Sequence, residues 1–342
     1  MRYTLTQHIE QGDKLARHIY ASDGRILLNA GVPLTVGLIS KLHHMGVQAV
    51  YLEEEALSDV TIEEVVTEKT RRTTVSKLAE SFQYVQSGGD LDVKAINKSV
   101  YALMDEILLN SNILLNLTDI RTTDNALYMH SVNVCIMAVL TGTKMGLDRT
   151  KLQELAVGAL LHDIGKILPG SRSLDQHHSW IGFNFLRKNK EISTLSSHIA
   201  LAHHEHINGS GLPRGMKEKD IHLLARITAV ANYYDNLVNG GGDYKEPLRP
   251  FEACEHLLGF TNQRFSFNVV WKFLRTIAFY PTGSQVKLTT GEAGIVISQH
   301  KGLPQRPVVR VFKAYSNQGR DYDITDLDLT EHTTVFIQTG VE

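Results

Sequence analysis

Between residues 76 and 280 the apolar residues fall at a helical period, and the alternation of a half-buried strand is scarce. Ile96, Val100, Leu103, Met104, Ile107 and Leu108 make one such stripe, which must be buried against other elements. Further helices are expected over 125–144, 151–162, 175–189, 193–204, 219–239, 250–259 and 266–279, with short polar or glycine-containing connections. Helices in this number can satisfy their apolar faces only against one another, so a mainly α helical bundle is the expected class. The pattern stops at Pro281. Beyond it come Val286 and Leu288, Ile295-Val296-Ile297, Val308-Val309-Arg310-Val311 and Val335-Phe336-Ile337, with turns at Gly291, Gly294, Pro304, Pro307 and Asn317-Gln318-Gly319. Residues 281–342 are expected to form a small all-β domain, with a barrel as the candidate arrangement. Residues 1–54 read as a small α+β module: Asp23-Gly24 turns the chain between two apolar stretches, Thr35 caps a helix through Leu42, and 47–52 is a strand. The charged and Thr-rich tract 55–75 reads as a linker. Residues 76–280 read as the helical domain, with its core over 125–280.

Composition narrows what such a chain does. A formal net charge of −2 supplies no basic field to recruit nucleic acid. The two cysteines, Cys135 and Cys254, both lie in apolar, helix-like sequence and read as buried thiols of a reducing compartment. The first residues lack the apolar core of a signal peptide, and no run of about 18 apolar residues occurs. A cytoplasmic protein without membrane insertion is the expectation. Trp180 and Trp271 read as core aromatics.

Eight of the sixteen histidines fall between 130 and 206, about twice the share of an even spread, and their neighbours make that excess informative. His162-Asp163 ends the apolar run Leu155-Ala156-Val157-Gly158-Ala159-Leu160-Leu161. A carboxylate beside an imidazole at the end of a buried helix is costly without a compensating charge, and a metal ion supplies one. Adjacent helical residues point about 100° apart, so both can ligate only if ions lie between them. The two oxygens of an aspartate can bridge two ions. Gly165 lets the chain turn, and Lys166 places a cation near a bound phosphate. His203-His204-Glu205 ends another helical segment, and Gly209 and Gly211 in the loop that follows permit unusual dihedrals and close ligand approach. His130 and His178 are further candidate ligands. Imidazole with carboxylate suits Fe, Mn, Zn or Ni better than Ca or Mg. Two such ions would hold a phosphate ester and activate water, so hydrolysis is the expected reaction. His177, His198 and His206 read as bystanders or outer residues, and His43-His44 as surface.

The order His130, His162-Asp163-Ile164-Gly165-Lys166, His178 with Gly182, and His203-His204-Glu205 with Gly209, Gly211, Leu212 and Pro213 resembles the HD-GYP family, over roughly residues 125–280. The resemblance implies an HD-type bundle and a phosphodiesterase that cuts cyclic di-GMP, through pGpG towards GMP, with iron or manganese ions. It implies a first ion on His130, His162 and Asp163, and a second on Asp163, His178, His203 and His204. Asp163 would be central to catalysis, with a metal-bridging hydroxide attacking phosphorus. Lys166 would contact the substrate phosphate, and Gly209, Gly211, Leu212 and Pro213 would form a substrate-binding loop. Four positions depart from the family pattern. Leu212 replaces its tyrosine. Ala126 replaces a carboxylate tied to a third ion, so two divalent transition-metal ions are expected. Gly242 replaces an arginine, and Asn232 replaces an aspartate ligand. Asn232 is expected to ligate through its carbonyl oxygen, and Asp235, one turn on, is placed to reach inward through a water. The alternatives are a catalytically weak nucleotide sensor that passes its signal to a protein partner, and an HD phosphohydrolase of another substrate. The helices before residue 120 are candidates for pairing with a second copy as a homodimer.

Overall fold

The computed structural model describes residues 1–116, 120–170, 177–241, 246–314 and 322–339. Its axle is α4 (Ala126–Lys144), in which every residue from Met129 to Gly142 is buried. A helix that is apolar all round has no solvent face and must be enclosed. By length and hydropathy α4 is apolar enough to cross a membrane although polar residues interrupt it, but its residues are packed inside the bundle. Around it stand α2 (Glu68–Gln86), α3 (Val93–Leu109), α5 (Arg149–Leu161), α8 (Leu223–Asn239) and α10 (Phe267–Leu274), with α7 (Thr194–Ala202) and α9 (Pro250–Gly259) packed on these and α6 (His178–Leu186) packed on α7. Local chemistry sets the ends. Thr67, Asp92, Asp148 and Ser193 each accept a backbone N–H of the first turn, and α8 stops at Gly240 with φ +65°.

The N-terminal module pairs β1 (Arg2–Leu5) with β4 (Ala49–Leu52) and β2 (Ile19–Tyr20) with β3 (Ile26–Leu28), over α1 (Val36–His44) capped by Thr35. It is bonded to the residues that open α4. Thr123 N donates to Met45 O (2.9 Å), Asn125 Nδ2 to Tyr20 O (3.1 Å) and Ser22 N to Asp124 Oδ2 (2.9 Å). The tract read as a linker is ordered and partly helical: α2 begins inside it, and Val65 and Val66 are buried in the bundle core. Isolated apolar residues among charges carry too little periodicity to reveal such packing.

The last domain is a five-stranded antiparallel sheet of order β8-β7-β6-β5-β9: β5 (Gln285–Leu288), β6 (Ala293–Ser298), β7 (Val308–Ala314), β8 (Tyr322–Asp328) and β9 (Ile337–Thr339). β8 and β9 are its edges, so the described strands form an open sheet and not a closed barrel. β8 escapes the sequence patterning because Asp323, Asp326 and Asp328 interrupt its apolar residues. The expected turn at Asn317-Gln318-Gly319 lies outside the described residues. Arg310 on β7 reaches Asp326 (2.8 Å) and Asp59 (2.6 Å), tying the sheet to the tract before α2. The Arg310 guanidinium holds the Asp59 carboxyl down at about 2. Trp180 and Trp271 are 39% and 44% exposed, so neither is a core aromatic; Trp271 stacks on Phe267 at the surface.

Candidate metal centre

Three helix ends and the flank of α4 meet at one place. His130 projects from the second turn of α4, His162 ends α5, His178 opens α6, and His203 ends α7. Asp163 follows His162 and leads into a 3-10 turn over Ile164–Ile167. Asp163, His178, His203 and His204 present donor atoms within 4.8 Å of one another, as do His130, His162 and Asp163. The two groups share Asp163.

Hydrogen bonds to the other ring nitrogen orient three of the imidazoles. His162 Nδ1 donates to Ala159 O (2.7 Å), His203 Nδ1 to Ala200 O (2.9 Å) and His130 Nδ1 to Asp235 Oδ2 (2.6 Å). With the proton on Nδ1, Nε2 carries the bare lone pair. The Nε2 atoms crowd together: His130 Nε2 lies 3.2 Å from His162 Nε2, and His178 Nε2 lies 3.3 Å from His203 Nε2 and 3.2 Å from His204 Nε2. Burial pushes the imidazoles of His162, His203 and His204 below their ordinary range, so these rings are neutral at pH 7. Asp163 Oδ2 lies 3.4 Å from His162 Nε2 and 2.5 Å from Lys166 Nζ, and Oδ1 lies 3.2 Å from His178 Nε2. Burial opposes its ionisation, but the Lys166 ammonium beside Oδ2 helps hold its carboxyl well below the usual range. Oδ1 is buried and accepts no hydrogen bond. Crowded lone pairs beside an orphaned carboxylate oxygen repel one another, and cations between them remove the repulsion. Nitrogen with carboxylate oxygen fits divalent transition metals.

The support behind His130 is largely invisible in the sequence. Asp235 is fully buried on α8, and its carboxylate accepts directly from His130 and, in bidentate fashion, from Arg121 (2.6 and 3.0 Å), with no water between. Asn133 Nδ2 also approaches it at 3.4 Å. Arg121 sits just before α4 and has no sequence signal connecting it to Asp235. Asn232, the expected aspartate position, is buried one turn earlier, and its Oδ1 accepts from Asn236 Nδ2 (3.2 Å).

Several motif residues act through shape. A Cβ on Gly165 would overlap the His178 carbonyl oxygen and stand 2.8 Å from Gly182 N. Gly165 therefore serves less to turn the chain than to let α6 close on the 3-10 turn, which brings His178 to Asp163. Gly165→Ala is expected to push α6 outward by about 1 Å and weaken metal binding about a hundredfold, read by metal titration. A Cβ on Gly211 would overlap the backbone of 204–206, and Gly209 has φ +86°. Glu205, 2% exposed, ties the loop back by accepting from Arg214 N and Met216 N, both at 2.8 Å. The loop's glycines are thus used by its own packing, while Leu212 is 55% exposed.

Of the other histidines, His177 caps α6 through its Nδ1, His198 lies edge-on to Phe183, and His206 meets Ser210. Gly242 lies outside the described residues. Because His162, His203 and His204 titrate low when folded, the unfolded chain binds more protons below about pH 6.5. Stability of the metal-free protein is then full above that pH and falls as pH drops, the His177 share continuing to about 4, where burial has lowered its pKa. Chelator-treated protein should melt lower at about pH 5.5 than at about pH 7.5, and an unchanged midpoint would refute this.

A cleft of about 520 Å³ opens at the His130 side of the centre. Arg121, His130, Lys166 and Asn236 line one wall, and Tyr3, Leu5 and Gln48 of the N-terminal module line the other. None of Gly209, Gly211, Leu212 or Pro213 lines it.

An HD domain matches residues 127–237, and a KOW domain associated with HD domains matches residues 285–342. The chain is an HD-domain protein. It is 31% identical over 244 residues to a cyclic di-GMP phosphodiesterase of Pseudomonas aeruginosa, covering 68% of this chain and 58% of that one. It is 33% identical over 184 residues to a cyclic di-GMP phosphodiesterase of Thermotoga maritima, covering 50% of this chain and 48% of that one. An HDG"Y"P protein from Bdellovibrio bacteriovorus superposes with a TM-score of 0.47 at 20% identity, over 77% of this chain and 95% of that one. Residues 127–237 carry the HD domain, and the order of its motifs resembles that of the HD-GYP family. It spans about half the length of the curated relatives it matches.

Proposed function

We propose that the chain is a metal-dependent phosphodiesterase that hydrolyses a cyclic dinucleotide, cyclic di-GMP first among them. The observation that carries this reading is the convergence of five imidazoles on the two oxygens of one buried aspartate, with Lys166 on the same carboxylate at the mouth of a cleft. His130, His162 and Asp163 would hold one ion, and Asp163, His178, His203 and His204 a second. Two divalent ions, iron or manganese by the donor set, would activate water and offset charge on the phosphate. Neutral imidazoles add no charge, and Arg121 already balances Asp235. Among the described residues Asp163 is then the one carboxylate that offsets the ions, which leaves the site net positive towards a phosphodiester. Lys166, 41% exposed in its side chain, is placed to receive a phosphate oxygen while Asp163 orients it. Asp235 and Arg121 keep His130 in the tautomer that points its lone pair inward.

A second reading has its own support. Asn232 contributes no charge and is engaged by Asn236, which fits a protein that binds the nucleotide without turnover and signals to a partner. The test is chromatography of cyclic di-GMP after incubation with anaerobically purified protein loaded with iron or manganese. Conversion to pGpG or GMP is expected. Tight binding without products would favour the sensor, and turnover only of other cyclic dinucleotides would change the substrate.

A further inference from the structure

Resting on the reading that the substrate is a cyclic dinucleotide, we propose that its far nucleobase, away from the phosphate being cut, sits in a pocket built jointly by β1, the start of α9 and the segment entering β5. None of these lies within residues 127–237, the stretch that supplies the metal centre. The pocket has a volume of about 220 Å³, and its walls include Leu5, Phe251 and Tyr280. It is continuous with the cleft at the metal centre: Tyr3, Leu5, Arg249 and Ser284 line both, and the cleft runs on to His130 and Lys166.

The chemistry of the pocket differs from that of the centre. Phosphate needs cations, which the centre and Lys166 supply. A base needs a flat apolar face and polar groups at its edge. Phe251 and Tyr280 present stacked rings, 5.5 Å apart and 29° from parallel, and both are only partly buried. The Arg249 guanidinium, which donates to Glu252 Oε1 (2.6 Å), lies 5.0 Å from the centre of the Phe251 ring at the junction of pocket and cleft, where a purine edge would share its N–H groups with that carboxylate. The two walls are held in register with the centre by backbone. Tyr3 N donates to Gly283 O (3.1 Å), and Thr123 N, three residues before α4, donates to Met45 O (2.9 Å). The N-terminal module thereby becomes part of the substrate site, selecting a dinucleotide over a small diester.

Two variants test this in the full-length, manganese-loaded protein. Phe251→Leu keeps an apolar filler and removes the ring face. Leu5→Glu, at a position 39% exposed, puts a negative charge in the pocket where folding tolerates it. For each, kcat/KM is measured for cyclic di-GMP and for bis(p-nitrophenyl) phosphate, and the Kd of cyclic di-GMP is measured by calorimetry. In both variants the preference for cyclic di-GMP over the small diester is expected to fall about tenfold, and Kd to rise about tenfold. Wild-type preference and Kd in both variants would overturn the pocket assignment while leaving the phosphodiesterase in place. A wild-type protein that binds cyclic di-GMP without cutting it would sink the hydrolysis reading, and the variants' Kd would still decide the pocket. Absence of binding to any cyclic dinucleotide would overturn both.

Discussion

Asp163→Ala is expected to strip metal from both halves of the centre and to reduce hydrolysis by at least about a thousandfold, since lost metal electrophilicity is worth several kcal/mol at about 1.4 kcal/mol per decade of rate. The size follows from position: Asp163 is the one residue common to both donor groups, and it also anchors Lys166. His204→Ala makes the comparison, because His204 belongs to one group only. Elemental analysis should show Asp163→Ala losing nearly all bound metal and His204→Ala retaining the share held by His130, His162 and Asp163. Equal metal content in Asp163→Ala and wild type would remove the basis for a shared bridging carboxylate.

Asp235→Ala is expected to cost about 10- to 100-fold in metal affinity although Asp235 lies in neither donor group. Without its carboxylate, His130 Nδ1 loses the acceptor that keeps its proton away from the centre, and the other tautomer turns an N–H towards the ions. Arg121, 14% exposed in its side chain, loses its bidentate partner as well. An uncompensated buried charge of this kind costs about 3–5 kcal/mol, so the melting temperature should fall too. Asp235→Asn separates the two effects. It can still accept from His130 but no longer neutralises Arg121, so it should keep more metal affinity than stability. Metal affinity equal to wild type in Asp235→Ala would show that His130 needs no such partner.

Most helix spans and the Thr35 cap could be read from the chain because both depend on residues within a turn or two of each other, whereas the caps at Thr67, Asp148 and Ser193 emerged only with the structure. Thr35, Thr67, Asp148 and Ser193 bond to N–H groups three residues away. The imidazoles and Asp163 stood out for a related reason: a buried helix that ends in His-Asp must meet a compensating charge somewhere. Harder to read were elements whose patterns are mixed, such as β8 with its three aspartates and the tract before α2, where Val65 and Val66 are buried among charged neighbours.

What the sequence determined by itself was a helical bundle, a β segment after it and the residue types of a metal centre, all carried by short-range pattern and by the cost of burying charge. What the tertiary structure alone decided was which atoms meet. Asp235 turns to His130 and Arg121, 105 and 114 residues away along the chain. Gly165 matters because the carbonyl of His178 comes to rest against it. The N-terminal module walls the cleft because Met45 and Tyr20 bond to residues 123 and 125. Each contact joins groups whose separation along the chain carries no periodic signal, so it exists only once the helices have packed.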